Sequence, residues 1–182
     1  MQGILKSFDI PFDQYVDDVR DIAGSCIDRY GIREWKLVVM TGEIHGHLGI
    51  YSTIGAKMGL YAKEWFEKEG ISGHISILSF AGCVPPVSCL NDGLQISTGA
   101  TLGHGLISIS DESEKRVEAV FTSGGKALHI RLKPQYEAQI RENIAHGIDL
   151  YGTTPPYWQY VRQLALKYWL EWDRQAIFST LI

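Results

Sequence analysis

Residues 106–134 read LISISDESEKRVEAVFTSGGKALHIRLKP, and this stretch decides the fold class. Apolar and polar side chains alternate in residues 106–110, 116–122 and 126–132, which is typical of half-buried strands. A charged turn separates the first two runs, and a pair of glycines separates the last two. The sequence therefore predicts an antiparallel meander of three strands.

Helical patterns precede this stretch. Apolar residues recur every three or four positions in residues 12–31, 48–70 and 87–98, which predicts three helices. Residues 35–40 and 74–80 have the composition and alternation of short strands. The second helix contains several small residues that lower helix propensity, so we expect another backbone to approach it closely.

Two further helices are expected after the meander, beginning near Pro134 and Pro155. Together the elements predict an α+β fold, in which helices pack a mixed or antiparallel sheet of roughly four to five strands. The length suits a single domain over residues 1–182. We expect its motif-bearing core at about 43–132 and a C-terminal helical extension at about 134–182.

The last helix carries an apolar stripe that is larger than its own domain is expected to need. We therefore predict that part of the stripe forms the interface of a homodimer, with burial inside the same chain as the alternative. The residues concerned are Trp158, Val161, Leu164, Tyr168 and Trp172, followed by Ile177, Phe178, Leu181 and Ile182.

Composition narrows the classes of partner. The chain has 182 residues, a formal net charge of -4 and no run of lysine and arginine, so nucleic acid is not an expected partner. No secretory leader and no membrane-spanning apolar stretch are visible. Three cysteines leave at least one unpaired, and nothing indicates an oxidising compartment. We therefore expect a cytoplasmic protein without a membrane partner.

A His-Gly-His sequence at residues 45–47 is the first motif that carries chemistry. Histidines two positions apart converge only on irregular backbone, and Gly46 supplies the conformational freedom. Neutral imidazoles suit zinc, nickel, copper and iron. The motif therefore indicates one divalent transition metal, in the first place zinc, with nickel or iron as alternatives. The other interpretation is that the two rings cap a helix end.

A cysteine helix forms the second motif. Cys89 and Asp92 are three positions apart and share one face of the predicted helix. The helix macrodipole is expected to lower the pKa of the Cys89 thiol and to favour it as a ligand or nucleophile. In the alternative interpretation, Cys89 is a small buried side chain and Asp92 lies on the surface. Cys26 and Cys83 are expected to be structural.

Glycines alternate with other residues in the segment 97–105. Backbone amides in such a segment could hold an anion, but a simple loop that leads back to the sheet is the favoured interpretation.

Four motifs resemble, in order and spacing, the E-subunit family of formylmethanofuran dehydrogenase over about residues 43–110. The motifs are His45-Gly46-His47-Leu48, Gly55-Ala56-Lys57-Met58-Gly59, Cys89-Leu90-Asn91-Asp92-Gly93-Leu94-Gln95 and Thr98-Gly99-Ala100-Thr101-Leu102-Gly103-His104-Gly105. The resemblance implies an α+β core that forms intertwined dimers. It also implies a metal site with the ligands His45, His47 and Cys89, and with Asp92 and His104 as second-rank candidates that bind the ion or orient a ligand.

The chain departs from the family pattern at three positions. Gly49 and Ala100 stand where the family has cysteines, and His104 stands where it has lysine. Two soft ligands are therefore missing, and the sequence does not identify their replacements. The family takes its name from a dehydrogenase complex whose chemistry lies in its other components, so the resemblance supplies no reaction.

Three functions remain open on this basis. The first is a metal-binding accessory or metal-sensing dimer. The second is a small metal-dependent hydrolase or lyase with an open coordination position, in which Asp92 or Glu43 acts as the general base. The third is a structural or ligand-binding dimer without a metal, and a small-molecule ligand would fit either of the last two.

Overall fold

The computed structural model describes residues 9–181. Within this range the chain forms six helices, five strands and three short 3₁₀ turns. The helices are α1 (Asp17–His45), α2 (Ile50–Lys68), α3 (Leu90–Thr98), α4 (Pro134–Tyr151), α5 (Pro155–Glu171) and α6 (Arg174–Ile177). The strands are β1 (Ser76–Ser79), β2 (Ile107–Ile109), β3 (Glu118–Ser123), β4 (Lys126–Leu132) and β5 (Phe178–Leu181). The 3₁₀ turns are Phe12–Gln14, Val87–Cys89 and Leu102–His104.

The five strands form one mixed sheet in the order β2-β1-β3-β4-β5. β1 and β2 are parallel, and every other neighbouring pair is antiparallel. Alternate side chains of the sheet, such as Phe121, Leu128 and Ile130, are fully buried in the hydrophobic core. The α+β class and the number of strands are confirmed.

The expected three-stranded meander is wrong in one respect. β3 and β4 form the predicted hairpin, but β2 pairs with β1 instead of β3. α3 lies between β1 and β2 in the chain, and a helical crossover of this length allows two strands to run parallel. The short loop after β2 then passes β1, so that β3 pairs on the other side of it.

Residues 35–40 are helical, which corrects the prediction of a strand there. They belong to the second half of α1, which is interrupted only at Gly31, where φ is 86° and ψ is 156°. Trp35, Val38 and Thr41 are buried at helical spacing. Packing of this face against the core overrides the strand preference of the valines. The His-Gly-His motif therefore lies between two helices and does not follow a strand.

The expected C-terminal helices are present, and they are followed by a strand that the sequence analysis missed. β5 pairs with β4 at the edge of the sheet. Most of the apolar stripe of α5 is used inside the chain, because Leu164, Tyr168 and Trp172 are buried. Among the described residues of the predicted interface, Trp158 and Leu181 stay exposed, at 61% and 54%, and Ile182 lies outside the described residues.

α2 and α3 pack closely because glycines line their contact. A Cβ atom at Gly55 would lie 2.2 Å from the carbonyl oxygen of Leu90, and one at Gly93 would lie 2.2 Å from that of Ser52. No side chain fits at either position. The expected close approach to the second helix is confirmed, and it fixes the start of α3 beside the end of α1.

None of the helices in residues 9–181 combines the length and the apolar character that crossing a lipid bilayer requires.

Candidate functional site

The two histidines of the motif lie side by side at the end of α1. His45 is the last residue of the helix, and Gly46 caps it in the left-handed conformation with φ 84°. The chain turns there, so that the ring centroids of His45 and His47 are 4.3 Å apart. Convergence of the two rings through Gly46 is as the sequence predicted.

His45 is held by a carboxylate on the neighbouring helix. Its Nδ1 lies 2.7 Å from Oδ2 of Asp92, in the first turn of α3. A carboxylate accepts hydrogen bonds, so in the neutral ring Nδ1 carries the proton and Nε2 keeps its lone pair. Nε2 is buried and has no hydrogen-bond partner within residues 9–181. His45 thus presents a free acceptor or ligand atom in a place without solvent.

Little space is left beside this nitrogen at Gly49. A Cβ atom at Gly49 would lie 3.2 Å from Nε2 of His45 and 2.9 Å from Oγ of Ser52. Gly49 has φ -111° and ψ 153°, which any residue adopts, so its absent side chain is not a demand of the backbone. The glycine instead makes room for the side chains of His45 and Ser52, which a Cβ atom would crowd.

His47 is more exposed than His45. Burial of part of the ring lowers its pKa below the ordinary value, and the neighbouring His45 and Arg162 lower it further. His47 is therefore neutral at neutral pH, which is the form in which imidazole binds a metal.

Cys89 ends the 3₁₀ turn before α3 and is half-buried. The expectation that the helix dipole lowers the pKa of its thiol is wrong. Burial raises the pKa, and the negative charge of Asp92 raises it further, which outweighs the backbone hydrogen bond. The charge of Asp92 and the burial together therefore favour the protonated thiol of Cys89 in the absence of a cation. Of the other cysteines, Cys26 is buried and Cys83 is exposed.

The predicted ligands are brought together only in part. Among the described residues, 9–181, no three side chains of His, Cys, Asp or Glu are grouped so as to hold a metal ion. The part of the site that is assembled consists of His45, His47 and Asp92. In it, the carboxylate of Asp92 orients the ring of His45. His104 lies exposed in the turn Leu102–His104.

The glycine-containing segment 97–105 is a loop without an anion cradle. Its amides are used within the chain: that of Leu102 donates to the side chain of Gln95, and those of His104 and Leu106 donate to the carbonyl oxygen of Thr101. The favoured interpretation of this segment is therefore confirmed.

A cavity of about 420 Å³ adjoins His47. His47 and Gly42 line it on one side, and Arg162 and Trp169 of α5 line it on the other. The sequence analysis missed this cavity because its walls come from segments far apart in the chain.

A metal ion fits the assembled residues at two ligand positions. The observation that supports this fit is the unpartnered Nε2 of His45. The ring lies beside a second, neutral imidazole, and its other nitrogen is hydrogen-bonded to the carboxylate of Asp92. Histidine ligands of metals usually donate their other N–H to a carboxylate or carbonyl in this manner. The histidine pair therefore suits zinc, nickel or iron, and further donors are needed to complete the coordination.

Comparison with known families gives one match. The family described as FmdE, molybdenum formylmethanofuran dehydrogenase operon, matches residues 44–179. The matched region includes both histidines, the cysteine helix, the whole sheet but its last residues, and α4 to α6. No curated protein matches the chain.

Proposed function

The chain belongs to the FmdE family, and from this premise we propose that it is an accessory protein that binds one divalent transition-metal ion. His45 and His47 are the first two ligands, and Cys89 is the third. Zinc is the first choice of metal, with nickel or iron as alternatives, because imidazole and thiolate suit all three. When bound with an open position, such an ion acts as a Lewis acid.

The state of His45 carries the proposal. Burying an imidazole nitrogen without a hydrogen bond costs free energy, and native proteins rarely leave such an atom unpaired. Asp92 fixes the tautomer in which this nitrogen has a lone pair. The neutral ring of His47 lies beside it. A helix cap would use both rings as partners of backbone groups, and Nε2 of His45 has no such partner in the described residues.

Metal content measured on purified protein tests the proposal. After incubation with zinc and removal of the excess, we expect about one ion per chain. The variants His45→Ala and His47→Ala should lose it, while His146→Ala, which changes an exposed histidine on α4, should retain it. Equal metal in all four proteins would reject the site.

Cobalt spectroscopy tests the role of Cys89. A thiolate ligand gives cobalt(II) an intense charge-transfer band in the near ultraviolet, which imidazoles do not give. We expect this band in the parent protein and in Cys83→Ser, and its loss in Cys89→Ser. The exposed Cys83 is the matched control. A protein that binds cobalt through the histidines without the band would remove Cys89 from the site and leave the histidine pair.

We also propose that the protein is a homodimer. The end of α4 and the start of α5 carry several large exposed apolar side chains, which are typical of an interaction surface. These are Ile148, Leu150, Tyr151 and Trp158. Light scattering at micromolar concentration should give twice the mass of 20.4 kDa for the parent protein and a reduced mass for Trp158→Asp. A monomeric parent protein would remove this part of the proposal.

A further inference from the structure

Two glutamates near the end of β4 differ in how their carboxyl groups are paired. Glu118, the first residue of β3, is buried and accepts hydrogen bonds from Nε of Arg116 at 3.0 Å and from Nε2 of His129 at 2.7 Å. Glu137 lies in the first turn of α4, with 16% of its side chain exposed. The two carboxyl groups share a neighbour, because the guanidinium of Arg131 lies 3.7 Å from Glu118 and 3.9 Å from Glu137.

The carboxyl group of Glu137 accepts no hydrogen bond within residues 9–181. Its Oε1 is buried without a partner. Its Oε2 lies 3.9 Å from Nη2 of Arg131 and 3.9 Å from Nη1 of Arg141, beyond the ~2.7–2.9 Å of a charge-assisted hydrogen bond. A largely buried carboxylate that accepts no hydrogen bond is poorly stabilised, so this geometry favours the neutral acid.

The pKa values of the two glutamates are shifted in opposite directions. Burial raises the pKa of Glu137 above its ordinary value of 4.5, although the guanidiniums of Arg131 and Arg141 act to lower it. Burial also acts to raise the pKa of Glu118, but the hydrogen bonds that this carboxylate accepts outweigh burial and hold the pKa below 4.5. Direct hydrogen bonds therefore separate the two groups.

Both signs of charge face Glu137. Arginines of β4 and α4 favour its ionised form, and glutamates of β3 and of the loop before β3 oppose it. These residues are Arg131, Arg141, Glu118 and Glu114. Tyr51 of α2 is a further neighbour, and burial and the charge of Glu137 raise its pKa to about 12, so its hydroxyl is uncharged. Because the charges oppose one another, the carboxyl group of Glu137 can both gain and lose a proton.

The start of α4 packs against the core on both sides of Glu137. Ile140 is fully buried, and the ring of Tyr136 packs edge-on against that of Trp172, with the centroids 4.9 Å apart. An ionised Glu137 needs solvent or a direct hydrogen bond from Arg141, which is largely exposed. Either requires the carboxyl group to leave its place between these two contacts.

We propose that Glu137 is a proton-operated switch for the start of α4: the neutral acid holds the first turn against β4, and loss of its proton to solvent loosens that turn. The remaining carboxylate then pairs with Arg141. The inference concerns regulation by pH and does not require a metal ion. The same helix ends at Tyr151, in the surface proposed for the dimer, so the switch lies in an element that carries this surface.

Carbon-13 NMR of the side-chain carboxyl groups tests the protonation directly. The signal that is lost in Glu137→Gln belongs to Glu137. We expect it to titrate above pH 4.5 and at a higher pH than the signal of Glu118. A midpoint for Glu137 at or below that for Glu118 would overturn the proposal, and this comparison uses the parent protein.

Urea denaturation between about pH 4 and 8 measures the effect on stability. Because the folded-state pKa of Glu137 is raised, its contribution is fully present below the unfolded-state value of 4.5 and is lost as the pH rises through the folded-state pKa. Glu137→Gln cannot ionise, so we expect its urea midpoint to match that of the parent protein in acid and to exceed it at the alkaline end. Glu142→Gln, an exposed position on the same helix, is the control and should not show this gain. A midpoint of Glu137→Gln that never exceeds that of the parent protein would contradict the switch.

Hydrogen exchange locates the effect. After correction for the intrinsic pH dependence of exchange, the protection of amides in residues 138–144 should fall with rising pH in the parent protein and stay constant in Glu137→Gln. The amides of α2 serve as the reference. An equal loss of protection in α2 and α4 would show that Glu137 acts on the whole fold, and the proposed switch for α4 would then be wrong.

Discussion

Two polar clusters tie the helices of this molecule together, and they differ in how completely their atoms are paired. In the lysine cluster, formed by Lys57, Glu34, Arg174 and Glu64, Nζ of Lys57 donates to Glu34 at 2.6 Å and to the carbonyl oxygens of Trp169 and Trp172. Arg174 then joins Glu34 to Glu64. In the histidine site, formed by His45, His47 and Asp92, Nε2 of His45 has no partner in the described part of the chain.

The difference separates a structural cluster from a binding site. Lys57 and Glu34 are almost fully buried, but each is paired, so their cluster has no vacant position for a ligand. The cluster instead fastens α5 and α6 to α1 and α2. The histidine site is paired on one side only, which leaves an atom for a ligand. Burial of polar groups by itself therefore does not identify function, and the histidine site differs from the lysine cluster in having an unpaired ring nitrogen that suits a metal ion.

Lys57→Met is expected to have the largest effect, which is a decrease in the free energy of unfolding. It leaves Glu34 buried with only Arg174, and it deprives two buried carbonyl oxygens of their donor. Removal of one partner of a buried pair costs about 3–5 kcal/mol, and we expect the lower end because Arg174 remains. Urea denaturation measures the loss. Lys126→Met, which breaks a half-exposed pair with Glu69, should cost less than about 1 kcal/mol. A similar small cost for Lys57→Met would contradict the structural role.

Asp92→Asn should affect metal affinity and leave stability nearly unchanged. The amide lacks the charge that holds the proton on Nδ1 of His45, and its NH₂ group favours the tautomer with the proton on Nε2. Loss of such a supporting partner weakens metal binding by about 10–100-fold. Competition with a chromophoric zinc chelator gives the ratio of affinities. If the affinity is unchanged, Asp92 does not orient a ligand.

Gly49→Cys should strengthen metal binding. The added Cβ atom lies 3.2 Å from Nε2 of His45, and at 2.9 Å from Oγ of Ser52 it requires that buried side chain to move. A further soft ligand at this place should raise zinc affinity by about tenfold or more, which corresponds to ~1.4 kcal/mol. Gly49→Ala provides the control for the steric change. Equal affinity in the two variants would show that a thiol at residue 49 does not reach the ion.

The smallest effect concerns a third contact of intermediate burial, between Asp18 of α1 and Arg162 of α5. Hydrogen bonds from Arg162 hold the pKa of Asp18 below its ordinary value of 3.8. The stabilisation is therefore present above about pH 4 and is lost as the pH falls through the lower folded-state pKa. Arg162→Met should cost below about 1 kcal/mol at neutral pH and less in acid, as measured by urea denaturation between about pH 2 and 7. If Arg162→Met lowers the free energy of unfolding by the same amount at both ends of this pH range, the prediction is wrong.

The sequence predicted the elements of the fold better than their arrangement. Periodicity located α2, α3 and the hairpin of β3 and β4, because these patterns are local. It misassigned residues 35–40, where the packing of Trp35 and Val38 decides the conformation. It also placed β2 beside β3, because pairing between distant strands leaves no local pattern in the sequence.

For the site, the sequence identified the histidine pair and missed its surroundings. Gly46 correctly predicted that the two rings converge, because its left-handed conformation turns the chain between them. Asp92 was ranked second, although it contacts His45 directly, because α1 and α3 meet only in the folded chain. The pKa of Cys89 was predicted in the wrong direction because helix dipoles can be read from sequence and burial cannot.

The central claim is that the unpaired nitrogen of His45 binds a metal ion. The zinc dissociation constant of His45→Ala, measured by chelator competition beside the parent protein and His146→Ala, tests it most directly. We expect one zinc per chain in the parent protein and in His146→Ala, and an affinity at least about 100-fold weaker in His45→Ala, equivalent to ~2.7 kcal/mol. The same dissociation constant in all three proteins would contradict the claim.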